Sequence, residues 1–311
     1  MILTVTPNTT IDQTLVVPSL PMNRTTRAIQ SVQSMGGKPT DASWILGEVG
    51  IPSLALGFAS GTLGNKVQQM LEARGASVNF TWVRGETRLN TVIITQDGSG
   101  AATITTATLE VDPQHEQNLR HAYRHALDTA TCVILGGTLP KGLSPTLYAE
   151  MIQWARERHI PTIFDADEPN LSVGLQASPT YIKPNQHELE ALTGQSITTL
   201  DEAYHVGKDI VARYGTCPII TLGKDGTLAV LPDKAYFLPS LEINVVSASG
   251  AGDGMLAGIA RAIHLGLPIE DGLRWGVALA SAVCLQLGTA DCRHEDVLRL
   301  LPQVRIEPYV V

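Results

Sequence analysis

The sequence predicts an α/β fold, a central mostly parallel sheet flanked by helices with a small β lid. Three observations predict it. Short apolar runs, Cys132-Val133-Ile134-Leu135, Thr162-Ile163-Phe164 and Ile219-Ile220-Thr221-Leu222, recur through the middle of the chain with helix-patterned segments between them. Each run is too short for a helix and ends in a small or polar residue, as buried parallel strands do. Residues 12–35 and 83–106 are instead rich in Thr, Val and Ile with partial period-two alternation, which suggests extended segments outside the main sheet.

The chain opens with Met1-Ile2-Leu3-Thr4-Val5, an apolar run that lacks a basic leader and is broken by Pro7. It reads as a first strand rather than a targeting peptide. Helix patterns run over roughly 114–129, from Pro145 to Arg158 and over roughly 200–214, and Tyr181-Ile182 reads as a strand ending at Lys183-Pro184-Asn185. No repeat, low-complexity tract or long linker divides the chain. A single domain over 1–311 is expected, with the lid segments inside it.

Composition excludes several functions. The 311 residues are 44% hydrophobic and 17% charged, enough to bury a sizeable core. A net charge of −8 argues against a broad grip on nucleic acid, and 5% aromatics argue against a stacking platform for single strands. The longest apolar stretch, Trp275 to Leu287, contains Gly276, Ser281 and Gln286 and is too short to span a bilayer, so a cytoplasmic protein without membrane contact is expected. Cys132, Cys217, Cys284 and Cys292 form no CxxC pair and read as buried small apolar residues in a reducing compartment.

Parallel sheets bind ligands beyond the carboxyl ends of their strands. Here those ends carry Gly136, Asp165, Asn185 and Gly223, which suit a crevice or simply make turns. The strongest local signal is Ser249-Gly250-Ala251-Gly252-Asp253-Gly254, three glycines packed immediately before the helical run Met255-Leu256-Ala257-Gly258. Glycines admit close approach to a ligand, and the N–H groups of a helix start attract an anion. Asp253 in that position would repel a phosphate unless it has a task, such as taking a proton from an attacking hydroxyl; otherwise it is an ordinary N-cap. No GxxxxGK[ST] loop occurs, which disfavours a P-loop enzyme.

Gly250-Ala251-Gly252-Asp253 with Ala257-Gly258 closely resembles the C-terminal signature of the PfkB-type, ribokinase-like carbohydrate kinases. Further matches follow in that family's order: Pro7-Asn8 with Asp12, Gly36-Gly37-Lys38, Gly85-Glu86-Thr87-Arg88, Gly137-Thr138-Leu139-Pro140-Lys141-Gly142, Lys183-Pro184-Asn185 with Glu188, and Thr221-Leu222-Gly223 with Gly226. The set spans nearly the whole chain and is most similar to the 1-phosphofructokinase and tagatose-6-phosphate kinase branch.

The resemblance implies a ribokinase-like fold and an ATP- and magnesium-dependent kinase of a sugar phosphate. Asp253 would be the base, and Gly250, Ala251 and Gly252 the anion hole. Lys183, Asn185, Thr221, Gly223 and Gly226 would border ATP, with Asn185 and Glu188 holding Mg2+ through its waters. Read alone, Asn185 and Glu188 are a turn residue and a helix-start acid. Asp12 and Gly37 would contact the sugar, and Arg27, Lys38 and Arg88 would face its existing phosphate. A lid of this kind is either a free flap or a homodimer surface.

Two departures bear on the acceptor. Gly36-Gly37-Lys38 continues as Pro39-Thr40-Asp41, where the family has a glycine at 39 and an asparagine at 41. Asp41 therefore replaces a neutral amide, either to contact the acceptor or merely to cap a helix. Thr105-Thr106-Ala107-Thr108-Leu109-Glu110 stands where the family has Asn-Glu-Pro-Gly. The alternatives are a kinase of an unphosphorylated sugar or nucleoside, and a non-catalytic sensor of nucleotide or sugar phosphate.

Overall fold

The computed structural model describes residues 1–106 and 109–310; Ala107 and Thr108 of the departing segment lie outside the described residues. The N-terminal half contains β1 (Ile2–Thr6), β2 (Thr10–Val17), β3 (Gln30–Gly36), α1 (Lys38–Glu48), β4 (Ser53–Ala59), α2 (Gly61–Ala73), β5 (Ser77–Trp82), β6 (Arg88–Thr95), β7 (Ala101–Ile104), α3 (Pro113–Ala126), β8 (Cys132–Gly136) and α4 (Thr146–Glu157). There follow β9 (Thr162–Asp165), α5 (Asn170–Leu175), β10 (Tyr181–Ile182), α6 (Gln186–Thr193), α7 (Leu200–Tyr214), β11 (Cys217–Thr221), β12 (Thr227–Val230), β13 (Ala235–Leu238), α8 (Ala251–Leu265), α9 (Ile269–Cys284), α10 (His294–Leu300) and β14 (Glu307–Pro308).

Among the described residues one sheet has the order β14-β13-β12-β11-β10-β9-β8-β1-β4-β5. It is parallel from β11 to β5 and antiparallel from β11 to β14. The short apolar runs are its central strands because both their faces are covered. Val133 and Leu135 of β8 join the cluster under α3, α4 and α7, whereas Cys132 and Ile134 join the one under α1, α8 and α9. Alternation along a strand sends successive side chains to opposite faces, so a run buried on both sides is apolar throughout.

Gly258 explains the small residue downstream of the glycine turn. A Cβ there would meet the Gly276 backbone nitrogen at 2.3 Å, so only glycine lets α8 and α9 pack this closely. That packing fixes the direction in which the start of α8 points.

The predicted lid segments form a second sheet, β3-β2-β6-β7, in which β2 pairs with β3 antiparallel and with β6 parallel. The register sets Asp12 beside Asn90 and Thr10 beside Arg88. One face of this sheet is anchored by Ile11 and Met35, which pack with Ala55, Ala59 and Val67. Pro39, which departs from the family pattern, falls in the first turn of α1, where its fixed φ suits a helix start.

Candidate active site

The start of α8, the start of α1, the lid strands β2 and β6 and the ends of β9 and β10 converge on one crevice. Asp253 lies in the first turn of α8, whose N-cap is Gly250 at φ 79°. It is therefore not the ordinary N-cap allowed above. It is buried, with its carboxyl beside that of Asp41. Burial raises its pKa to about 7, with the nearby Asp165 charge adding to the rise and Lys183 and Lys38 opposing it.

Asp41 is also buried, and its Oδ1 has no hydrogen-bond partner. Burial first, then the charges of Asp253 and Asp12, push its pKa well above the usual carboxylate range. It does not cap α1: the N-cap is Gly37, and no side chain supplies a cap bond. The capping role allowed by the sequence is thus corrected.

Asp12 completes the acidic wall. It accepts from Asn90 Nδ2 at 3.0 Å, and burial raises its pKa against the opposing bonds from Thr289 and Asn90 and the charge of Arg88. Gly36 makes room for it, since a Cβ there would lie 2.5 Å from Asp12 Oδ1. Arg88, at the start of β6, donates from Nε to Thr10 Oγ1 at 2.5 Å. Asn8 donates to Thr138 Oγ1 at 3.2 Å, so two separate sequence motifs meet here. The Oδ1 atoms of Asn8 and Asn90 are buried without a partner, the kind of group that a polar ligand or ordered water satisfies.

Lys38 and Arg27 are placed differently from expectation. Lys38 Nζ is 2.9 Å from Asp165, 2.9 Å from Asp167 and 2.8 Å from Glu188, so its charge is taken up by three carboxylates. Asp165 also pairs with Lys183 Nζ at 3.0 Å. Arg27 is exposed on the loop before β3. Of the expected phosphate-facing cations, Arg88 alone stands at the lid side of the acids with its charge not shared among three carboxylates.

Asn185 and Glu188 form a full capping box at the start of α6: Glu188 N donates to Asn185 Oδ1 at 2.9 Å, and Asn185 N donates to Glu188 Oε2 at 2.8 Å. The plain reading of these two residues is therefore present in the structure. Asn185 Oδ1 and Glu188 Oε2 each keep a second lone pair beyond the cap bond and can accept from the waters of a cation, while Glu188 Oε1 is taken by Lys38.

A cavity of about 770 Å³ opens on the other side of the glycine turn. Lys183, Asn185, Thr221, Gly223 and Gly226 all line it, as do Ala251 and Gly252. The sequence reasoning missed its apolar wall, Met255 of α8 and Val277, Ala280, Ser281 and Cys284 of α9. Their spacing was the signal, because Val277, Ala280, Ser281 and Cys284 recur at i, i+3, i+4 and i+7 and share one helix face. Asp167 was missed as well, although it lies two residues beyond the strand-end Asp165. The cysteines are all free; Cys132 and Cys292 are buried as expected, but Cys217 and Cys284 are only partly covered, Cys284 because it faces this cavity. Among the described residues no helix is long and apolar enough to cross a membrane, and no group of three or more His, Cys, Asp or Glu side chains is placed to hold a metal ion.

The sequence profile described as pfkB family carbohydrate kinase matches residues 3–296. The 1-phosphofructokinase of Bacillus subtilis is 29% identical over 98% of this chain and 99% of its own length. That of Haloferax volcanii is 32% identical over 96% of this chain and 95% of its own. Among solved structures, phosphofructokinase-2 from Escherichia coli in complex with substrates and products superposes with a TM-score of 0.88 at 22% identity, covering 97% of this chain and 98% of the other.

Proposed function

The chain belongs to the pfkB family of carbohydrate kinases, and from that premise we propose that it transfers the terminal phosphate of ATP to a hydroxyl of a sugar phosphate, as a 1-phosphofructokinase or tagatose-6-phosphate kinase does. The observation that carries the proposal is the position of Asp253. It stands at the glycine turn between the large cavity and the acidic wall under the lid.

In this reading the base of ATP lies against the apolar wall of α8 and α9, and its phosphates run toward Gly252 and Lys183. The N–H groups of the first turn of α8 and the Lys183 ammonium face the transferring phosphate. A Cβ at Gly252 would come 3.1 Å from Lys183 Nζ, which measures how near that cation is to the turn. Asp253 takes the proton of the acceptor hydroxyl as the new oxygen–phosphorus bond forms. Magnesium, held through its waters by Asn185 and Glu188, would supply positive charge at the phosphates. Asp12 and the backbone at Gly37 orient the acceptor, and Arg88 holds its existing phosphate.

A screen of ATP turnover across free sugars and sugar phosphates tests this assignment. One observation favours a second reading, a kinase of an unphosphorylated sugar. Asp12, Asp41 and Asp253 crowd the acceptor side, while Lys38 is committed to three carboxylates and Arg27 is exposed. The 1-phosphofructokinase names of the two relatives favour the phosphorylated acceptor. Arg88→Ala separates the readings. A charge-assisted hydrogen bond contributes about 1.5–3 kcal/mol, so KM for the sugar phosphate should rise about 10- to 150-fold with little change for ATP. An unchanged KM, or a parent enzyme that prefers the neutral sugar, overturns the phosphate-binding role.

The partner proposed for the lid is a second copy of the chain. Leu20, Met22, Ile29 and Ile104 of the lid segments are exposed apolar side chains that a copy would cover. Light scattering should give a dimer mass for the parent and a monomer mass for an Ile29→Asp, Ile104→Asp variant; a monomeric parent removes the dimer.

A further inference from the structure

Asp41 and Asp253 are buried together at the starts of α1 and α8, with carboxyls close enough to share a hydrogen bond, and two carboxyl groups can bond only if one of them carries a proton. Two features identify which one. Asp253 has the cations Lys183 and Lys38 within electrostatic range, which favour its charged form. Asp41 is faced by acids alone, Asp253 from α8 and Asp12 from β2, and its own Oδ1 is buried without a partner. The remaining charges act one step away: Asp165 at the end of β9 faces Asp253, and Arg88 of β6 faces Asp12.

We propose that Asp41 is a positioning residue that keeps its proton at neutral pH and donates it in a hydrogen bond to the Asp253 carboxylate. This inference rests on the kinase reading for its consequence, but not for its chemistry. The bond fixes one oxygen of Asp253 and leaves the other for the acceptor hydroxyl. During transfer the acceptor hydroxyl gives its proton to Asp253 and its oxygen bonds the terminal phosphorus of ATP. The bond from that phosphorus to the bridging oxygen breaks with its electron pair leaving on ADP, and Asp41 keeps its own proton throughout. Ionising Asp41 would remove the donor and place a further negative charge beside an anionic base. Burial and the two neighbouring acids delay that ionisation well beyond the ordinary carboxylate range.

The test compares the parent with Asp41→Asn, whose amide donates but does not ionise, and with Asp41→Ser as a second uncharged donor should the first not fold. The parent's kcat/KM should rise with pH as Asp253 titrates near 7 and fall again on the alkaline side as Asp41 loses its proton. The variants should keep the acid limb and lose the alkaline one. Where the parent has fallen about tenfold, each variant should remain within about twofold of its own maximum. An alkaline limb that persists in the variants overturns the proposal. So does an acid limb that moves to lower pH, since that shift would mean Asp41 carried a charge in the parent. Infrared difference spectra of parent against variant at neutral pH read the proton without turnover: a carboxylic-acid C=O band present in the parent and lost with Asp41 supports the proposal, and its absence overturns it. A band that is present in a protein turning over no sugar or sugar phosphate would leave Asp41 as assigned and overturn the kinase reading.

Discussion

Asp253→Asn is expected to lower turnover by about 10²–10⁴-fold, the usual contribution of a general base, while ATP affinity stays nearly unchanged. The variant keeps the size of the side chain and the contact with Asp41, so the loss isolates the missing base. Phosphoryl transfer leans chiefly on positioning and charge stabilisation, which the glycine turn and Lys183 would retain, so the fall should lie toward the lower end of that range. The parent should also lose activity as pH drops through about 7, because burial and the Asp165 charge raise the pKa of Asp253 and the protonated form accepts no proton. That acid limb should be absent from the residual activity of the variant. Initial rates with nucleotide affinity measured separately check both points, and turnover within a factor of two of the parent overturns the role.

The main sheet was legible because its central strands are buried on both faces and so read as unbroken apolar runs. Cys132-Val133-Ile134-Leu135 became β8 with one residue added, and the helix pattern at roughly 200–214 became α7, whose bounds are set by a Thr199 capping box and a left-handed Gly215. The lid was legible as Thr-, Val- and Ile-rich alternation. Lys183, Asn185, Thr221, Gly223 and Gly226 lie at or just beyond the ends of β10 and β11, so order along the chain was enough to bring them to one cavity. The acceptor side was harder to read, for a physical reason. Lys38 meets Asp165 and Glu188 across separations of 127 and 150 residues, and no local pattern records which cation finds which acid. Asp41 had two readings, an acceptor contact or a cap, because an acid near a helix start often caps it. The structure instead ends the helix backbone on Gly37 and buries the carboxyl against another acid. Asn185 and Glu188 had two readings from the start, and the spacing N-x-x-E satisfied the capping box with the same atoms proposed to hold the waters of a metal.

Lys38→Met should affect both stability and nucleotide use, and the way it does so discriminates between two roles for this lysine. Burial works against the ammonium, but the charges of Asp165, Glu188 and Asp167 outweigh it and hold the group above the ordinary lysine range. Removing it leaves Asp165 with Lys183 as its cation and strips Glu188 and Asp167 of their shared partner. Breaking a buried pair costs about 3–5 kcal/mol, but Lys38 is partly open and Asp167 largely so, which puts the expected loss near or below about 3 kcal/mol. Its pH dependence follows from the acids. Burial opposes the charged form of Asp165, yet Lys183 and Lys38 depress its pKa below the usual value, so the stability it contributes is present above about pH 4 and disappears as pH falls through the lower folded value. The gap in melting temperature between parent and variant should accordingly be full near neutrality and close in acid. In kinetics, carboxylates left without their counter-ion repel the incoming nucleotide phosphates, so KM for ATP should rise about 10-fold or more, the weight of one charge-assisted contact, and by more than KM for the acceptor. The reverse pattern, a large rise for the sugar phosphate with ATP unaffected, would return Lys38 to the acceptor's phosphate and require it to swing away from the three acids when substrate arrives.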